Sequence, residues 1–250
     1  MIERTEHTVP VPYLPEALRG LRIAQLSDLH RSHLTSDRVL RAAVQMANDA
    51  CPDLIVLTGD YVSQDTADIE PCMRLLKPLR ARMGIYAVLG NHDYNASGRG
   101  VAQALTRIGV EVLVNRNVSL RHGLRLAGLD DSRKGKPDVR RALEDIGPEE
   151  PLLILTHNPA DAEKLAHRAC VVLSGHTHGG QILLPILTAN EIRRIGAKRY
   201  RAGWYTIGKA RVYVNRGLGQ VGYPIRLFCP PEVSVFTLEP ACQPQRDRIK

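Results

Sequence analysis

The amino-acid sequence predicts an α/β fold with a largely parallel sheet over its first two-thirds. Short apolar runs recur along the chain with helical patterns between them, which is the signature of β-α-β units. Directly after five of these runs stand Asp, Asn and His residues. In a parallel α/β sheet that position is the rim outside the carboxyl ends of the strands, where sites form.

Leu21–Leu26 is the first strand expected. Asp37–Ala50 then places Leu40, Ala43, Val44 and Ala47 at helical spacing, with Ser36 as its cap. Leu54–Leu57 and Ile85–Leu89 read as strands, and Val101, Leu105 and Ile108 mark a helix after Gly100. Val110–Val114, Leu124–Leu129, Leu152–Leu155 and Val171–Leu173 continue the strand series, with a short helix at Pro159–His167. From Gln181 onward Gly, Pro and short runs such as Val212–Val214 and Val233–Leu238 dominate. That stretch reads as a second, more antiparallel layer with long loops. No repeat, low-complexity tract or linker divides the chain. Residues 1–250 are expected to form one domain, with 1–20 as a lead-in and 243–250 as a flexible tail.

Composition narrows the class. Apolar residues make up 44% of the 250 and aromatics only 4%, so aliphatic side chains must fill the core. The formal charge of +8 suits an anionic partner such as a phosphorylated substrate, an acidic membrane surface or nucleic acid. An ordinary solvated surface accounts for it as well. Five cysteines without a C-x-x-C pair argue against a disulfide framework and a thiolate zinc site. Cys51 and Cys170 read as buried thiols of a reducing compartment. No signal-peptide core and no apolar run of about 18 residues is present. The expectation is a soluble, cytoplasmic chain, with peripheral contact to an anionic membrane left open.

Five motifs carry chemistry. Asp28-Leu29-His30, Gly59-Asp60, Gly90-Asn91-His92-Asp93, His157 and Gly175-His176-Thr177-His178 each follow an apolar run. Asp, Asn and His offer oxygen and nitrogen donors without thiolate, a set that suits manganese, zinc, iron or nickel. In Asp28-x-His30 and His176-x-His178 an extended backbone would aim both ligands to one side and turn Leu29 and Thr177 away. Singly these motifs mean little: Gly-Asp is usually a turn, and a lone His157 is usually a hydrogen-bonded histidine. All five in order at strand ends read as a metal centre. His7, His33, His122 and His167 lack that context.

Together the five motifs resemble the complete signature of the calcineurin-like metallophosphoesterases, over about residues 21–180. The strings Gly175–Pro185 and Val214–Leu238 are further similar to a bacterial subgroup. It comprises YkuE-like and YaeI-like phosphodiesterases and a UDP-2,3-diacylglucosamine pyrophosphatase. The resemblance implies a four-layer α/β/β/α sandwich of two mixed sheets flanked by helices, with a dinuclear metal site at the C-terminal strand ends. It implies one divalent ion on Asp28, His30, Asp60 and His178, and a second on Asp60, Asn91, His157 and His176. It also implies hydrolysis of a phosphodiester or pyrophosphate by in-line attack of a metal-bridging hydroxide, on a small-molecule, lipid or nucleotide-lipid substrate. His92 would be the catalytic residue, as general acid or transition-state stabiliser. Asp93 either orients His92 or caps the next turn. Arg216 either contacts a substrate phosphate or is an ordinary surface arginine. Asp130-Asp131 either orients a ligand histidine or starts a turn.

Rival readings are a nuclease, which the charge favours but the lack of aromatic platforms opposes, a phosphoprotein phosphatase, and a silent metal-binding scaffold. Retention of His92 and every ligand type opposes the last. Substrate choice is expected to lie in the loops Ser32–Ser36, Asn95–Gly100 and Pro185–Ala202.

Overall fold

The computed structural model describes residues 1–183 and 199–241. The expected tail at 243–250 and most of the loop Pro185–Ala202 lie outside the described residues. Strands β1 (Glu3–Val11), β2 (Arg22–Leu26), β3 (Leu54–Leu57), β4 (Ile85–Ala87), β5 (Glu111–Val112) and β12 (Glu232–Pro240) form the first sheet, in the order β1-β12-β2-β3-β4-β5. Strands β6 (Arg116–Ser119), β7 (Arg125–Gly128), β8 (Leu152–Leu155), β9 (Cys170–Ser174), β10 (Gly203–Ile207) and β11 (Ala210–Val214) form the second, in the order β10-β11-β9-β8-β7-β6.

Both sheets are mixed. The run β2-β3-β4-β5 is parallel, as is β7-β8-β9-β11, while β12 lies antiparallel to β2, β6 to β7 and β10 to β11. The second layer therefore begins at Arg116, not at Gln181. In the sequence its parallel centre reads as a continuation of the first sheet, because apolar runs alone do not reveal a change of sheet.

Period-two alternation sorts the side chains into layers. Leu54 and Val56 face the space between the sheets, where they meet Leu153, Leu155, Val171, Leu173 and Phe236. Ile55 and Leu57 face the other way, onto α1 (Asp37–Asp49), α2 (Ile69–Leu76) and α3 (Asn91–Arg107). On the far side of the second sheet, Ile154, Val172 and Val212 pack against Ala142 of α4 (Val139–Ala142) and Ala162 and Leu165 of a 3-10 segment, Pro159–Leu165. Four layers result, as the resemblance implied. Strands buried on both faces explain the uninterrupted apolar runs.

Several local expectations change. Residues 3–11 are not a mere lead-in but an edge strand paired in parallel with β12. Helix α3 begins at Asn91 rather than after Gly100, so Asn95–Gly100 is helix interior, kinked at Ser97, and not a loop. Cys51 is exposed instead of buried. It follows the last turn of α1 in a left-handed conformation (φ +48°), the usual exit from a helix, and its thiol turns outward. Ser36 caps α1 as expected, accepting from the Arg38 N–H at 3.2 Å.

Candidate metal centre

The carboxyl ends of β2, β3, β8 and β9 and the start of α3 deliver the expected ligands to one buried cluster. Asp28, His30 and His157 are fully buried, and Asp60, Asn91, His176 and His178 nearly so. Three sets bring their donor atoms within 4.8 Å of one another: Asp28–His30–His178, His30–Asp60–His92 and Asp60–His157–His176. Asp60 joins them, with its Oδ2 3.4 Å from His30 Nε2 and 3.1 Å from His157 Nε2.

The local backbone differs from the extended segments expected. Asp28, His30, Asp60, His176 and His178 all have positive φ, between +43° and +72°. Such conformations are sparse for non-glycine residues and hold only where the surroundings enforce them. Here the chain turns sharply at each strand end, and the side chains still converge. Leu29 does face away, into the core beneath the helices. Thr177 is buried and donates through its hydroxyl to the Arg201 carbonyl. Gly59 is required by space as well as by its φ of +92°, since a Cβ there would lie 2.6 Å from Gly90 N and 2.8 Å from His157 Nδ1.

The donors fit divalent cations. Pairs of ring nitrogens converge: His178 Nε2 to His30 Nε2 at 3.0 Å, and His176 Nδ1 to His157 Nε2 at 3.0 Å. Asn91 Oδ1 is buried with no hydrogen-bond partner. An orphaned buried acceptor is costly unless something absent from the protein chain satisfies it. Two fully buried carboxylates also require positive charge. Burial and the nearby Asp60 push Asp28 upward. Asp60 is held well below its usual value despite burial, because His157 and His30 supply charge and hydrogen bonds. His157 is correspondingly pushed up to about 10, Asp60 and Asp28 overcoming its burial. Divalent ions would supply that charge without a proton and leave the histidines as neutral donors. Burial, with His30 and Arg226 alongside, already keeps His178 neutral.

Supporting contacts fix the rings. The Thr58 carbonyl lies 2.8 Å from His157 Nδ1 and accepts its proton, which turns Nε2 inward. Ser27 Oγ donates to Asp28 Oδ2 at 2.6 Å, and His176 N–H donates to Asp28 Oδ2 at 2.9 Å. His92 sits on the first turn of α3 at the edge of the cluster. Its backbone N–H donates to Asp60 Oδ1 at 2.8 Å, and its Nδ1 lies 2.7 Å from the Ser63 carbonyl. Its Nε2 is thereby left as the free tip. Burial lowers its pKa, against the pull of Asp60.

Asp93 does not orient the His92 ring. Its carboxylate accepts from the N–H groups of Gly90 (2.9 Å), Asp60 (2.8 Å) and Tyr61 (2.8 Å), tying the start of α3 to the turn after β3. Asp93→Ala is expected to leave those buried donors unpaired at about 1–3 kcal/mol each. The melting temperature should fall by at least roughly 6 °C in a chain of this size. A calorimetric shift under about 2 °C would contradict that role.

The structure places Arg216 between carboxylates, its Nε 3.1 Å from Glu232 and its NH2 2.8 Å from Glu3. Asp130 and Asp131 accept backbone N–H groups of their own turn, while Asp131 Oδ1 stays buried and unpartnered. Arg226 reaches the cluster, its NH2 3.3 Å from His178 Nδ1 and its Nε donating to the Gly219 carbonyl at 2.9 Å. Sequence reading missed it, as it missed Ser27, Thr58 and Ser63. Two of these act through backbone carbonyls, which no residue type announces.

Residues 21–180 match the family model described as calcineurin-like phosphoesterase. The chain is 37% identical over 247 residues to the uncharacterized metallophosphoesterase YkuE of Bacillus subtilis, covering 96% of this chain and 86% of that one. It is 30% identical to the UDP-2,3-diacylglucosamine pyrophosphatase LpxG of Chlamydia muridarum, over 88% of this chain and 84% of the relative. It spans 56% of the length of a Danio rerio transmembrane protein with a metallophosphoesterase domain and 90% of an uncharacterized metallophosphoesterase of Aquifex aeolicus. Among solved structures, a dimetal phosphatase from Danio rerio shares the fold, with a TM-score of 0.50 and 13% identity over 82% of this chain and 90% of that one.

Proposed function

We propose a specific reaction for this chain, which belongs to the calcineurin-like phosphoesterase family and is a metal-dependent hydrolase of phosphate esters or anhydrides. Its bond is a phosphodiester or pyrophosphate, and its substrate class a lipid or nucleotide-lipid. The observation that carries the site is the shared Asp60 carboxylate, with buried His and Asp donors on both sides. Asp28, His30, Asp60 and His178 hold one divalent ion, and Asp60, Asn91, His157 and His176 hold the other. Manganese, zinc, iron and nickel all suit these donors. The pair, when bound, supplies Lewis-acid polarisation of the phosphoryl group and a nucleophile at neutral pH.

The chain's own residues do the rest. Asn91 is a neutral ligand, so it adds no third carboxylate to cancel the cations' field. His92, held by the Ser63 carbonyl, presents Nε2 to the phosphoryl oxygens or the leaving group, where it stabilises charge or donates a proton. The positive end of α3, whose first residues are Asn91 and His92, favours an anion at the same place.

The pyrophosphatase activity named for the Chlamydia relative supports the diester or anhydride class. Residence in the cytoplasm with peripheral membrane contact fits it. No helix among the described residues is long and apolar enough to cross a membrane.

Metal-stripped protein is tested on bis-p-nitrophenyl phosphate and p-nitrophenyl phosphate, with each metal restored in turn. Metal-dependent cleavage is expected, with the diester at least about tenfold faster by kcat/KM, a difference of about 1.4 kcal/mol. Faster cleavage of the monoester would contradict the assigned class.

A further inference from the structure

Apart from Met1, the described residues expose three large apolar side chains: Tyr223 at 53%, Ile225 at 46% and Phe228 at 73%. All three lie in one stretch, Val221–Phe228. That stretch is anchored by its polar groups. The Gln181 side chain receives the Val221 N–H at 2.9 Å and donates to the Tyr223 carbonyl at 3.0 Å. The Leu227 N–H donates to the Gln181 carbonyl at 3.0 Å. Arg226 turns inward onto the Gly219 and Arg216 carbonyls and His178. The charged residue is thus half-buried and turned inward while the apolar ones stand in solvent, the reverse of an ordinary surface loop. Phe228 is held at φ +55°, a left-handed conformation that a bulky residue adopts at a cost of about 1–2 kcal/mol.

Cations flank the same site. Arg133, Lys134 and Lys136 are exposed on the turn after β7. Ser132 of that turn accepts from Asn158, beside His157, and Arg133 NH1 lies 3.5 Å from His176 Nε2. Arg201 is also exposed, its carbonyl bonded to Thr177 between the two histidines of the last motif. A second copy of a chain with net charge +8 would bring like charge to this rim, whereas an anionic bilayer brings the opposite.

We propose that Val221–Phe228 docks the chain on an anionic lipid bilayer. Tyr223, Ile225 and Phe228 enter the boundary between headgroups and acyl chains, and Arg133, Lys134, Lys136 and Arg201 meet the anionic headgroups. The inference rests on the function proposed above only in supposing that the metal centre faces a lipid substrate.

The test is co-sedimentation of the metal-loaded full chain with phosphatidylcholine vesicles, with and without phosphatidylglycerol. Binding to the anionic vesicles is expected, at least about tenfold tighter than to the neutral ones and weakened by salt. The triple variant Tyr223→Ser/Ile225→Ser/Phe228→Ser should bind at least about tenfold more weakly. Its hydrolysis of bis-p-nitrophenyl phosphate should be unchanged, which shows that it is folded. No binding by the wild type, or equal binding by the triple variant, would overturn the proposal. So would a wild-type dimer that becomes a monomer in the triple variant, because the face would then belong to a second copy. Vesicle binding by a protein inactive on every diester would uphold docking and defeat the hydrolytic reading instead.

Discussion

Asp60→Asn is expected to lose bound metal and turnover together. The substitution keeps the shape of the side chain and an oxygen for the His92 N–H, now 2.8 Å from Oδ1, so the start of α3 should hold. What it removes is the negative charge that the His30 and His157 nitrogens face at 3.4 and 3.1 Å. A neutral amide oxygen is also a much weaker ligand to two cations at once than a carboxylate oxygen. Metal content should fall to one ion per chain or fewer. Turnover should drop at least about a thousandfold, the scale of the several kcal/mol that a Lewis-acid centre supplies. Elemental analysis of the purified variant beside its diesterase rate checks both. Full metal content with normal rate would remove Asp60 from the centre.

His92→Ala separates catalysis from metal binding. Its ring reaches the edge of the cluster, but its Nδ1 is engaged with the Ser63 carbonyl, and the carboxylates and other histidines remain without it. Both ions should stay, while kcat falls by about 10²–10⁴, the usual contribution of a positioned proton donor. Burial lowers the pKa of His92. A ring that must be protonated is therefore most active below that lowered pKa, and its contribution disappears as pH rises through it. The wild type should show this alkaline limb and the variant should lack it. Unchanged kcat at full metal content, or an identical pH profile, would sink the role.

The parts legible in the sequence are those governed by side-chain type and spacing. Leu54–Leu57 and Leu152–Leu155 announce themselves because both faces of β3 and β8 are buried, so no polar residue interrupts them. The strands missed are exposed or edge-lying. β1, Glu-Arg-Thr-Glu-His-Thr-Val-Pro-Val, opens with six consecutive polar residues and carries a proline of the kind an edge strand tolerates. β6, Arg-Asn-Val-Ser, holds one aliphatic residue. The division into two sheets was invisible because parallel strands read alike in either.

At the site, the seven metal-ligand candidates and His92 could be named because Asp, Asn and His after strand ends form a chemical pattern. The geometry that aims them could not. Positive φ at Asp28, His30, Asp60, His176 and His178 depends on neighbouring turns, and extended backbone was the simpler expectation. Arg226 lies 48 residues beyond His178 in the chain and meets it only through the fold. Asp93 shows the converse. Its position three residues after Gly90 fits the capping of α3, and its partners prove to be backbone N–H groups.

The most direct measurement is a manganese titration of metal-free protein, followed by calorimetry and by diesterase rate on the same samples. Two ions per chain are expected, with turnover rising only as the second site fills, and with neither response in Asp60→Asn. Full turnover by the metal-free protein, or two ions bound by Asp60→Asn as tightly as by the wild type, would contradict a centre bridged by Asp60.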